Sequence, residues 1–255
     1  MTTINSDTRV PVTVLTGFLG SGKTTLVNRI LTENHGKRIA VIENEYNELS
    51  IDRDLIVNEA EEIVEMNNGC LCCMVRGDLM VALRNLLKRR EKFDYILIET
   101  SGLTDPGPVA QTFILDDYLK DKVRLDGIVT LVDSKHVWLH IDERDELREQ
   151  IGFADVILLN KTDLATEPEL QKLEGRIRDI NALAKTHRTQ NSAADMDDIL
   201  ELGAFEAERI LATHPNLLSE EEDECGIAEG VTSIGITFKG ELEEDKVEEW
   251  AHELG

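Results

Sequence analysis

Residues 17–25 read GFLGSGKTT and decide the fold, because they contain the G-x-x-x-x-G-K-[ST] pattern of a phosphate-binding loop. An apolar, β-branched run over residues 10–16 precedes the pattern, and apolar residues at helical spacing follow it. The sequence therefore predicts a strand, a glycine-rich loop and a helix in succession, the local structure that binds nucleoside triphosphates. The fixed positions of the pattern are Gly17, Gly22, Lys23 and Thr24.

The residue types of this loop suit phosphate oxygens and a Mg²⁺ ion. Glycines let backbone N–H groups turn inward, and the N-terminus of the following helix adds a positive dipole end. We expect the Lys23 ammonium to reach the β and γ phosphates and the Thr24 hydroxyl to hold Mg²⁺. The expected nucleotide contacts of the loop are Gly17, Gly20, Ser21, Gly22, Lys23, Thr24 and Thr25.

Composition narrows the class of protein. The 255 residues include 51 acidic and 27 basic side chains, a net charge of −24, which argues against a nucleic-acid partner because such surfaces need basic patches. The sequence contains no apolar run long enough to cross a bilayer and no leader-like start, so we expect no membrane partner and a cytoplasmic location. The four cysteines make no disulfide framework, since three of them lie within four residues, and reduced thiols fit the same compartment.

Apolar strand-like runs alternate with helical patterns along the chain, which predicts an α/β fold with a mostly parallel sheet and helices on both faces. The predicted strands cover residues 10–16, 39–42, 95–98, 128–132 and 156–159, with a further candidate at 62–66. The predicted helices cover residues 24–34, 77–91 and 167–182, with others near 107–115, 141–152 and 196–211.

The domain organisation follows from a shift in composition near the end of the chain. We expect a nucleotide domain over residues 1–215 and an acidic linker over 216–230, because the run at 219–224 cannot bury itself. Residues 231–255 have the pattern of one strand and one helix, too little for an independent core. They are expected to begin a small, incomplete C-terminal α/β domain.

The segment 95–102 is an apolar strand that ends in an acidic residue, with a glycine three positions later. In a phosphate-loop protein, a carboxylate here orients the Mg²⁺ shell and a glycine N–H meets the γ-phosphate. Glu99 and Gly102 are the candidates, and Lys23, Thr24 and Glu99 are the residues expected to support catalysis.

Residues 160–163 read NKTD directly after a predicted strand, a pattern typical of a guanine-recognition site. The Asp163 carboxylate can accept hydrogen bonds from N1–H and the exocyclic amine of guanine, which adenine does not offer. Asn160 and Lys161 complete the pattern, with the Lys161 stem expected along the base plane. The segment 189–192 is a candidate for the loop beneath the base.

Residues 69–73 read GCLCC and place three thiols within four residues. Thiolates this close repel one another unless a cation neutralises them, and soft sulfur ligands suit Zn²⁺ or Cu⁺. The alternative is a set of small buried hydrophobic residues. The expected metal ligands are Cys70, Cys72 and Cys73, and glutamates at 43, 45 and 48 are candidates for a further position.

Taken in order, the segments GFLGSGKTT, ENEYNE, GCLCC, IETSG and NKTD resemble the CobW-type GTPases, a family of metallochaperones and metal insertases. The resemblance covers roughly residues 9–212. It implies a nucleotide domain followed by a smaller C-terminal domain, and GTP binding and slow hydrolysis coupled to handling Zn²⁺, Co²⁺ or another transition metal. It also implies that Cys70, Cys72 and Cys73 bind the metal with help from Glu43 and Glu48, while the loop, Glu99, Gly102, Asn160, Lys161 and Asp163 serve GTP and GDP.

The chain departs from the family pattern in three places. Residues 44–48 read NEYNE where the family usually has NEFGE, which affects the geometry of that segment. The acidic run at 219–224 stands where many members carry a histidine-rich loop, so metal loading is expected to differ. Residues 231–255 match only the start of the C-terminal domain.

The leading hypothesis is a GTPase that binds one transition-metal ion, zinc first, and transfers it to a client metalloprotein as the nucleotide state changes. Two alternatives remain open: a metal-sensing regulatory GTP-binding protein without transfer, and a phosphate-loop ATPase or kinase with structural cysteines. A homodimer is possible in each case.

Overall fold

The computed structural model describes residues 7–43, 63–65 and 73–218, and these form one parallel sheet with helices on both faces. The strands are β1 (Val10–Gly17), β2 (Ile39–Glu43), β3 (Ile63–Glu65), β4 (Tyr95–Glu99), β5 (Val123–Asp133), β6 (Val156–Asn160) and β7 (Lys185–Arg188). The α-helices are α1 (Lys23–Thr32), α2 (Cys73–Leu87), α3 (Gly107–Leu115), α4 (Asp117–Lys120), α5 (Asp145–Gly152), α6 (Glu167–Ile180) and α7 (Ala207–Thr213).

The order of the strands across the sheet is β3-β2-β4-β1-β5-β6-β7, and every pair of neighbours is parallel. All strands therefore end along one side of the sheet, the carboxyl edge, and begin along the other, the amino edge. The chain builds one half of the sheet with β2 to β4 and the other half with β5 to β7, so its direction across the sheet reverses beside β1. Open parallel sheets bind ligands at such a reversal, at the carboxyl edge.

The core lies on both faces of the sheet, and for this reason the strands are apolar throughout rather than alternating. On one face, α2 and α3 pack against alternate residues of β1, including Val12 and Val14. On the other face, α1 packs against Leu15 and its neighbours. Helices α5 and α6 pack with Ile157 of β6 in a third cluster. The fold class predicted from the sequence is confirmed.

Several element boundaries differ from the predicted ones. Strand β5 begins at Val123 rather than 128, and α2 covers residues 73–87 rather than 77–91. Helix α5 begins at Asp145 rather than 141, because a 3₁₀ turn at residues 137–139 and the turns after it precede the helix.

The helix predicted near residues 196–211 is wrong, because the segment between a 3₁₀ turn at 196–198 and α7 is not helical. Glu201 and Gly203 take left-handed φ values of 57° and 53°, which interrupt helical geometry. The N–H of Gly203 donates to the buried carboxylate of Asp126 at 3.2 Å, and the preceding N–H does so at 2.6 Å. The Asp126 carboxylate thus accepts from N–H groups that would otherwise form helical hydrogen bonds. This tertiary interaction outweighs the apolar spacing that predicts a helix in this segment.

Some predicted features lie outside the described residues. They are Glu45, Glu48, Cys70, Cys72, the linker from residue 219 onward and the C-terminal segment 231–255. The described chain ends in a 3₁₀ turn at Pro215–Leu218, where Leu217 packs against the core and its carbonyl accepts from the Gln111 amide. Within the described residues, no helix combines the length and apolarity needed to cross a membrane.

Candidate nucleotide site

The loop between β1 and α1 depends on glycine at two positions. Gly17 and Gly22 have φ values of 138° and 108°, a region that residues with a Cβ rarely adopt. A Cβ at Gly17 would lie 2.3 Å from the Leu131 carbonyl oxygen, and a Cβ at Gly22 would lie 2.5 Å from Nδ2 of Asn160. The loop therefore packs directly against the carboxyl ends of β5 and β6.

Lys23 is the first residue of α1 and is buried over the loop. Its Nζ donates to the carbonyl oxygens of Gly17 and Phe18 at 2.8 and 3.2 Å. The N–H groups of the first helical turn lack intrahelical partners, and the cap residue Gly22 contributes no side-chain hydrogen bond. An ammonium and a helix N-terminus thus meet at one point, an arrangement that attracts phosphate.

Thr24 and Glu99 bring two oxygen ligands together beside the loop. The Thr24 hydroxyl donates to Oε1 of Glu99 at 3.2 Å, and Glu99 is 8% exposed at the end of β4. Hydroxyl and carboxylate oxygens are the ligands that Mg²⁺ prefers. The residues present therefore fit the Mg²⁺ ion that accompanies a bound nucleoside triphosphate.

Glu43 lies beside Glu99 in the sheet. Glu43 ends β2, is also 8% exposed, and its Cα is the register partner of the Cα of Glu99 on β4. On its other side, Glu43 is the register partner of Glu65 on β3. Because register partners on neighbouring parallel strands project to the same face of a sheet, Glu43 and Glu99 lie side by side on one face. A predicted metal ligand is thus the immediate neighbour of the predicted Mg²⁺-orienting carboxylate.

Among the cysteines predicted to bind metal, Cys73 is the first residue of α2. Helix α2 connects the parallel strands β3 and β4, so it begins at the carboxyl edge, on the same side of the sheet as Glu43. Within residues 7–43, 63–65 and 73–218, no group of three or more His, Cys, Asp or Glu side chains is placed to hold a metal ion.

The loop after β4 contacts the phosphate loop through Gly102. A Cβ at Gly102 would lie 2.7 Å from the Leu19 nitrogen and 2.9 Å from its Cα, so glycine permits this contact. From the other side, Gln150 of α5 donates through Nε2 to the carbonyl oxygens of Gly102 and Thr104 at 3.0 and 3.1 Å. The predicted γ-phosphate sensor is therefore held between the phosphate loop and α5.

At the predicted base-recognition end, Asn160 is buried and its side chain joins two loops. Its Nδ2 donates to the Ser21 carbonyl at 2.9 Å and to the Ser192 hydroxyl at 3.0 Å, while its Oδ1 accepts from the Ser192 N–H at 2.9 Å. The Ser192 hydroxyl donates to the Gly22 carbonyl at 2.9 Å. The segment 189–192 is thus tied to the phosphate loop, although direct nucleotide contact by Asn160 or this segment stays a prediction.

Lys161 and Asp163 follow this junction and are more accessible. Lys161 has a left-handed φ of 59°, and its Nζ lies 2.8 Å from Oδ2 of Asp133 at the end of β5. Burial alone would raise the pKa of Asp133, but hydrogen bonds from Lys161, His136 and Lys135 outweigh it and lower the pKa to about 2. Asp133 therefore remains charged and orients Lys161, while Asp163 is exposed to solvent.

Several buried polar atoms at the carboxyl edge have no hydrogen-bond partner among the described residues. They are Oγ of Ser21, Oγ1 of Thr104, Oγ of Ser134 and Oε1 of Gln150. Native proteins pair nearly all such atoms, so a concentration of unpaired ones marks a place where a ligand or water completes the structure.

Sequence reasoning missed Gln150 and did not assign a role to Asp133. The sequence feature that could have identified Gln150 is its position, because a polar residue there falls on the same helix face as the apolar residues Leu147 and Ile151. The signal for Asp133 was an acidic residue at the end of an apolar strand, two features that also occur together without function.

The parallel sheet, the glycine loop and the polar side chains at the carboxyl edge define a phosphate-loop nucleotide-binding protein. The sequence matches the CobW/HypB/UreG nucleotide-binding domain over residues 11–188. The chain therefore belongs to this family, and the resemblance drawn from its motifs is confirmed.

Individual relatives support the same family. The chain is 42% identical to the zinc chaperone YjiA of Escherichia coli K12, over 81% of this chain and 66% of that protein. It is 40% identical to zinc-regulated GTPase metalloprotein activator 1 of Dictyostelium discoideum, over 83% of this chain and 52% of that protein. A crystal structure of Zn(II)-bound YjiA GTPase from E. coli aligns with a TM-score of 0.63 at 36% identity, over 78% of this chain and 63% of that chain. The chain thus spans about half to two-thirds of the length of these relatives.

Proposed function

We propose that this protein is a GTP-hydrolysing metallochaperone that binds a transition metal, most simply zinc, and couples its nucleotide state to transfer of the metal to a client metalloprotein. The observation that carries the proposal is the pairing of Glu43 with Glu99 in adjacent strands. Because the two residues are one strand spacing apart, a change in what is bound at one carboxylate can alter the position or the charge environment of the other. The names of the relatives, which include GTPases and zinc chaperones, agree with it.

The nucleotide half of the proposal assigns GTP to the phosphate loop and to the loop after β6. Lys23 and the first-turn amides of α1 neutralise phosphate charge, and Asp163 selects guanine. Thr24 and Glu99 hold Mg²⁺, which, when bound, neutralises charge that develops on the transferred phosphoryl group. Gly102 senses the γ-phosphate through its N–H. The named GTPase relatives favour this over an ATPase or kinase with structural cysteines.

The metal half assigns zinc, as the cargo, to Cys70, Cys72 and Cys73, with Glu43 and Glu48 as oxygen ligands. Soft thiolates select Zn²⁺ over Mg²⁺, which keeps the two ions at separate ligand sets. The position of Cys73 at the start of α2, on the carboxyl edge with Glu43, supports a shared site. A zinc-bound crystal of a relative at 36% identity supports zinc as the first metal to test.

The experiment that tests the proposal is a competition titration of Zn²⁺ affinity, run with a non-hydrolysable GTP analogue and with GDP. We expect one tight zinc site whose affinity differs between the two nucleotides. Cys72→Ser should weaken it at least about tenfold, and Glu43→Gln should reduce the difference between nucleotides. Cys225→Ser is the matched control, because that thiol lies in the acidic segment outside the GCLCC motif. Equal zinc affinities in both nucleotide states would contradict the coupling.

A metal-sensing regulatory GTP-binding protein is the second candidate, since the same coupling could gate a protein contact without metal transfer. Hydrolysis stimulated by a client apo-metalloprotein, with zinc appearing in that client, favours the chaperone. Zinc-dependent binding to a protein that takes up no metal favours the sensor. Cytoplasmic location and a homodimer remain predictions of the sequence.

A further inference from the structure

Gln150 is a fully buried polar side chain that donates hydrogen bonds to the loop of the predicted γ-phosphate sensor. It sits on the inner face of α5, where its neighbours Leu147 and Ile151 belong to the apolar core. Both hydrogens of its Nε2 have an acceptor, the carbonyl oxygens of Gly102 and Thr104 at 3.0 and 3.1 Å. One amide group thus fixes two peptide groups of the same loop.

The loop that Gln150 holds has little freedom on its other side. The Thr104 N–H donates to the Ser101 carbonyl at 3.1 Å, which closes a turn. Gly102 lies against the backbone of Leu19, with only 2.7 Å between a notional Cβ and the Leu19 nitrogen. The peptide that follows Gly102 is therefore oriented by the phosphate loop on one side and by Gln150 on the other.

The helix that carries Gln150 is itself firmly anchored. The Thr130 hydroxyl donates to the Gln150 backbone carbonyl at 2.7 Å. At the end of α5, Nδ2 of Asn181 donates to three carbonyl oxygens of residues 151–154 at 2.8 to 3.0 Å. Because α5 is held in this way, the Gln150 amide has a fixed position to which the loop is hydrogen-bonded.

The chemistry of Gln150 is unfavourable for a purely structural role. In the described part of the chain, its Oε1 is buried and has no hydrogen-bond partner, and the same is true of Oγ1 of Thr104 in the loop that it holds. An apolar side chain at this core position would avoid that desolvation. In the Gln150 amide, Nε2 makes two hydrogen bonds while Oε1 makes none among the described residues. This asymmetry indicates that the donor group is what the position requires.

We propose that Gln150 is a positioning residue that holds the 102–104 loop ready for the γ-phosphate and so sets the preference of the protein for GTP over GDP. The inference rests on the proposed binding of GTP at the phosphate loop. GDP lacks the phosphate that this loop would meet, so a loosened loop weakens GTP binding selectively.

The test compares Kd values for a non-hydrolysable GTP analogue and for GDP in wild type and Gln150→Met, which keeps the length of the side chain and removes both donors. We expect analogue affinity to fall about tenfold, the effect of losing two neutral hydrogen bonds, with GDP affinity within about twofold of wild type. Melting temperature should change by only a few degrees. If Gln150→Met does not fold, Gln150→Asn withdraws the amide by one methylene and should shift the ratio in the same direction.

A matched control separates positioning from the general effect of the substitution. Gln171→Met makes the same replacement on the exposed surface of α6, where the Gln171 amide donates to Glu167. It should leave the ratio of the two affinities at the wild-type value. An unchanged ratio in the folded Gln150 variant, or an equal shift in Gln171→Met, overturns the inference. Failure of wild type to bind either nucleotide would instead overturn the proposed function.

Discussion

The two edges of the sheet bury polar groups in different ways. At the amino edge, the Asp126 carboxylate is fully buried and accepts from Tyr95 Oη at 2.7 Å, from Arg124 at 2.5 Å and from the backbone of residues 202 and 203. Asp155 nearby accepts from the Ile128 N–H and pairs with Arg209. At the carboxyl edge, Ser21, Thr104 and Gln150 each have a buried polar atom with no hydrogen-bond partner within residues 7–43, 63–65 and 73–218.

The difference distinguishes buried polar groups that stabilise the fold from buried polar groups that are available to a ligand. A network whose members are satisfied fixes one arrangement of the chain, and at the amino edge it fixes the segment before α7 against β4 and β5. It also changes the ionisation of its members: burial and then the neighbouring Asp126 charge raise the pKa of Tyr95, and burial raises the pKa of Asp155. A buried polar atom without a partner instead lacks a hydrogen bond that a bound ligand or water can supply. We therefore expect substitutions at the carboxyl edge to change nucleotide binding, and those at the amino edge to change stability.

The largest effect is expected for Lys23→Ala at the carboxyl edge. If Lys23 faces the phosphates as proposed, loss of its ammonium should lower kcat/KM for GTP hydrolysis by roughly 10²- to 10³-fold. The free energy of unfolding without nucleotide should change little, because the side chain makes its hydrogen bonds to carbonyls of a partly accessible loop. Steady-state hydrolysis and urea unfolding measure the two. Lys122→Ala, an exposed lysine at the amino edge, is the control, and a large loss of stability in Lys23→Ala would break the comparison.

The next effect is expected for Asp163→Asn, at the end of the same edge that is proposed to recognise guanine. An amide cannot accept from both donors of guanine, so GTP affinity should fall about 100-fold and the preference over ATP should disappear. Because Asp163 is exposed, its replacement should leave the melting temperature within about a degree or two. Competition binding with GTP and ATP measures the preference. Asp179→Asn, an exposed aspartate of α6, should leave the preference intact.

The sequence predicted the parts of this edge that depend on short segments. The phosphate loop, Glu99 and residues 160–163 each lie where a strand ends, so a local pattern specifies both the residue and its place. The register pairing of Glu43 with Glu99 depends on strand order, because β4 lies between β1 and β2 and no local pattern reveals that insertion. Gln150 is a similar case, since its partners are more than forty residues away along the chain.

The amino edge was predicted less well for the same reason. Asp126 occupies an irregularity in the pairing of β1 with β5, where the register moves from Leu125 to Gly127. A bulge changes the direction of a side chain without changing the apolar pattern of its strand, and the pattern predicts a shorter strand that begins at residue 128, after the buried carboxylate. Because the N–H groups of residues 202 and 203 donate to Asp126, the helix predicted after residue 198 does not form there.

Tyr95→Phe tests the amino edge directly. Removing the hydroxyl takes one donor from Asp126 and leaves the Glu201 N–H, which donates to it at 3.0 Å, without its partner. We expect a loss of about 1–3 kcal/mol in the free energy of unfolding, with Kd for GTP and GDP within about twofold of wild type. Urea unfolding and nucleotide titration on the same preparation give both values. Tyr118→Phe, a half-exposed tyrosine, should change neither, and a selective loss of GTP binding in Tyr95→Phe would show that the edges are coupled.

Asp133→Asn gives the smallest expected effect and sharpens the comparison, because Asp133 lies at the carboxyl edge yet is fully hydrogen-bonded. Its pKa in the folded protein is about 2, below the ordinary value of 3.8, so its ionised form stabilises the fold above the ordinary pKa. That contribution is lost as pH falls from about 4 to about 2. Since solvent reaches the carboxylate and its partners, we expect the substitution to remove only about 1 kcal/mol at pH 7. Denaturant unfolding of both proteins at intervals from pH 7 to pH 2 should show their difference in stability disappearing in that window. A difference that persists at pH 2 would mean that the charge of Asp133 contributes nothing, and that the hydrogen bond to Lys161 survives in the amide.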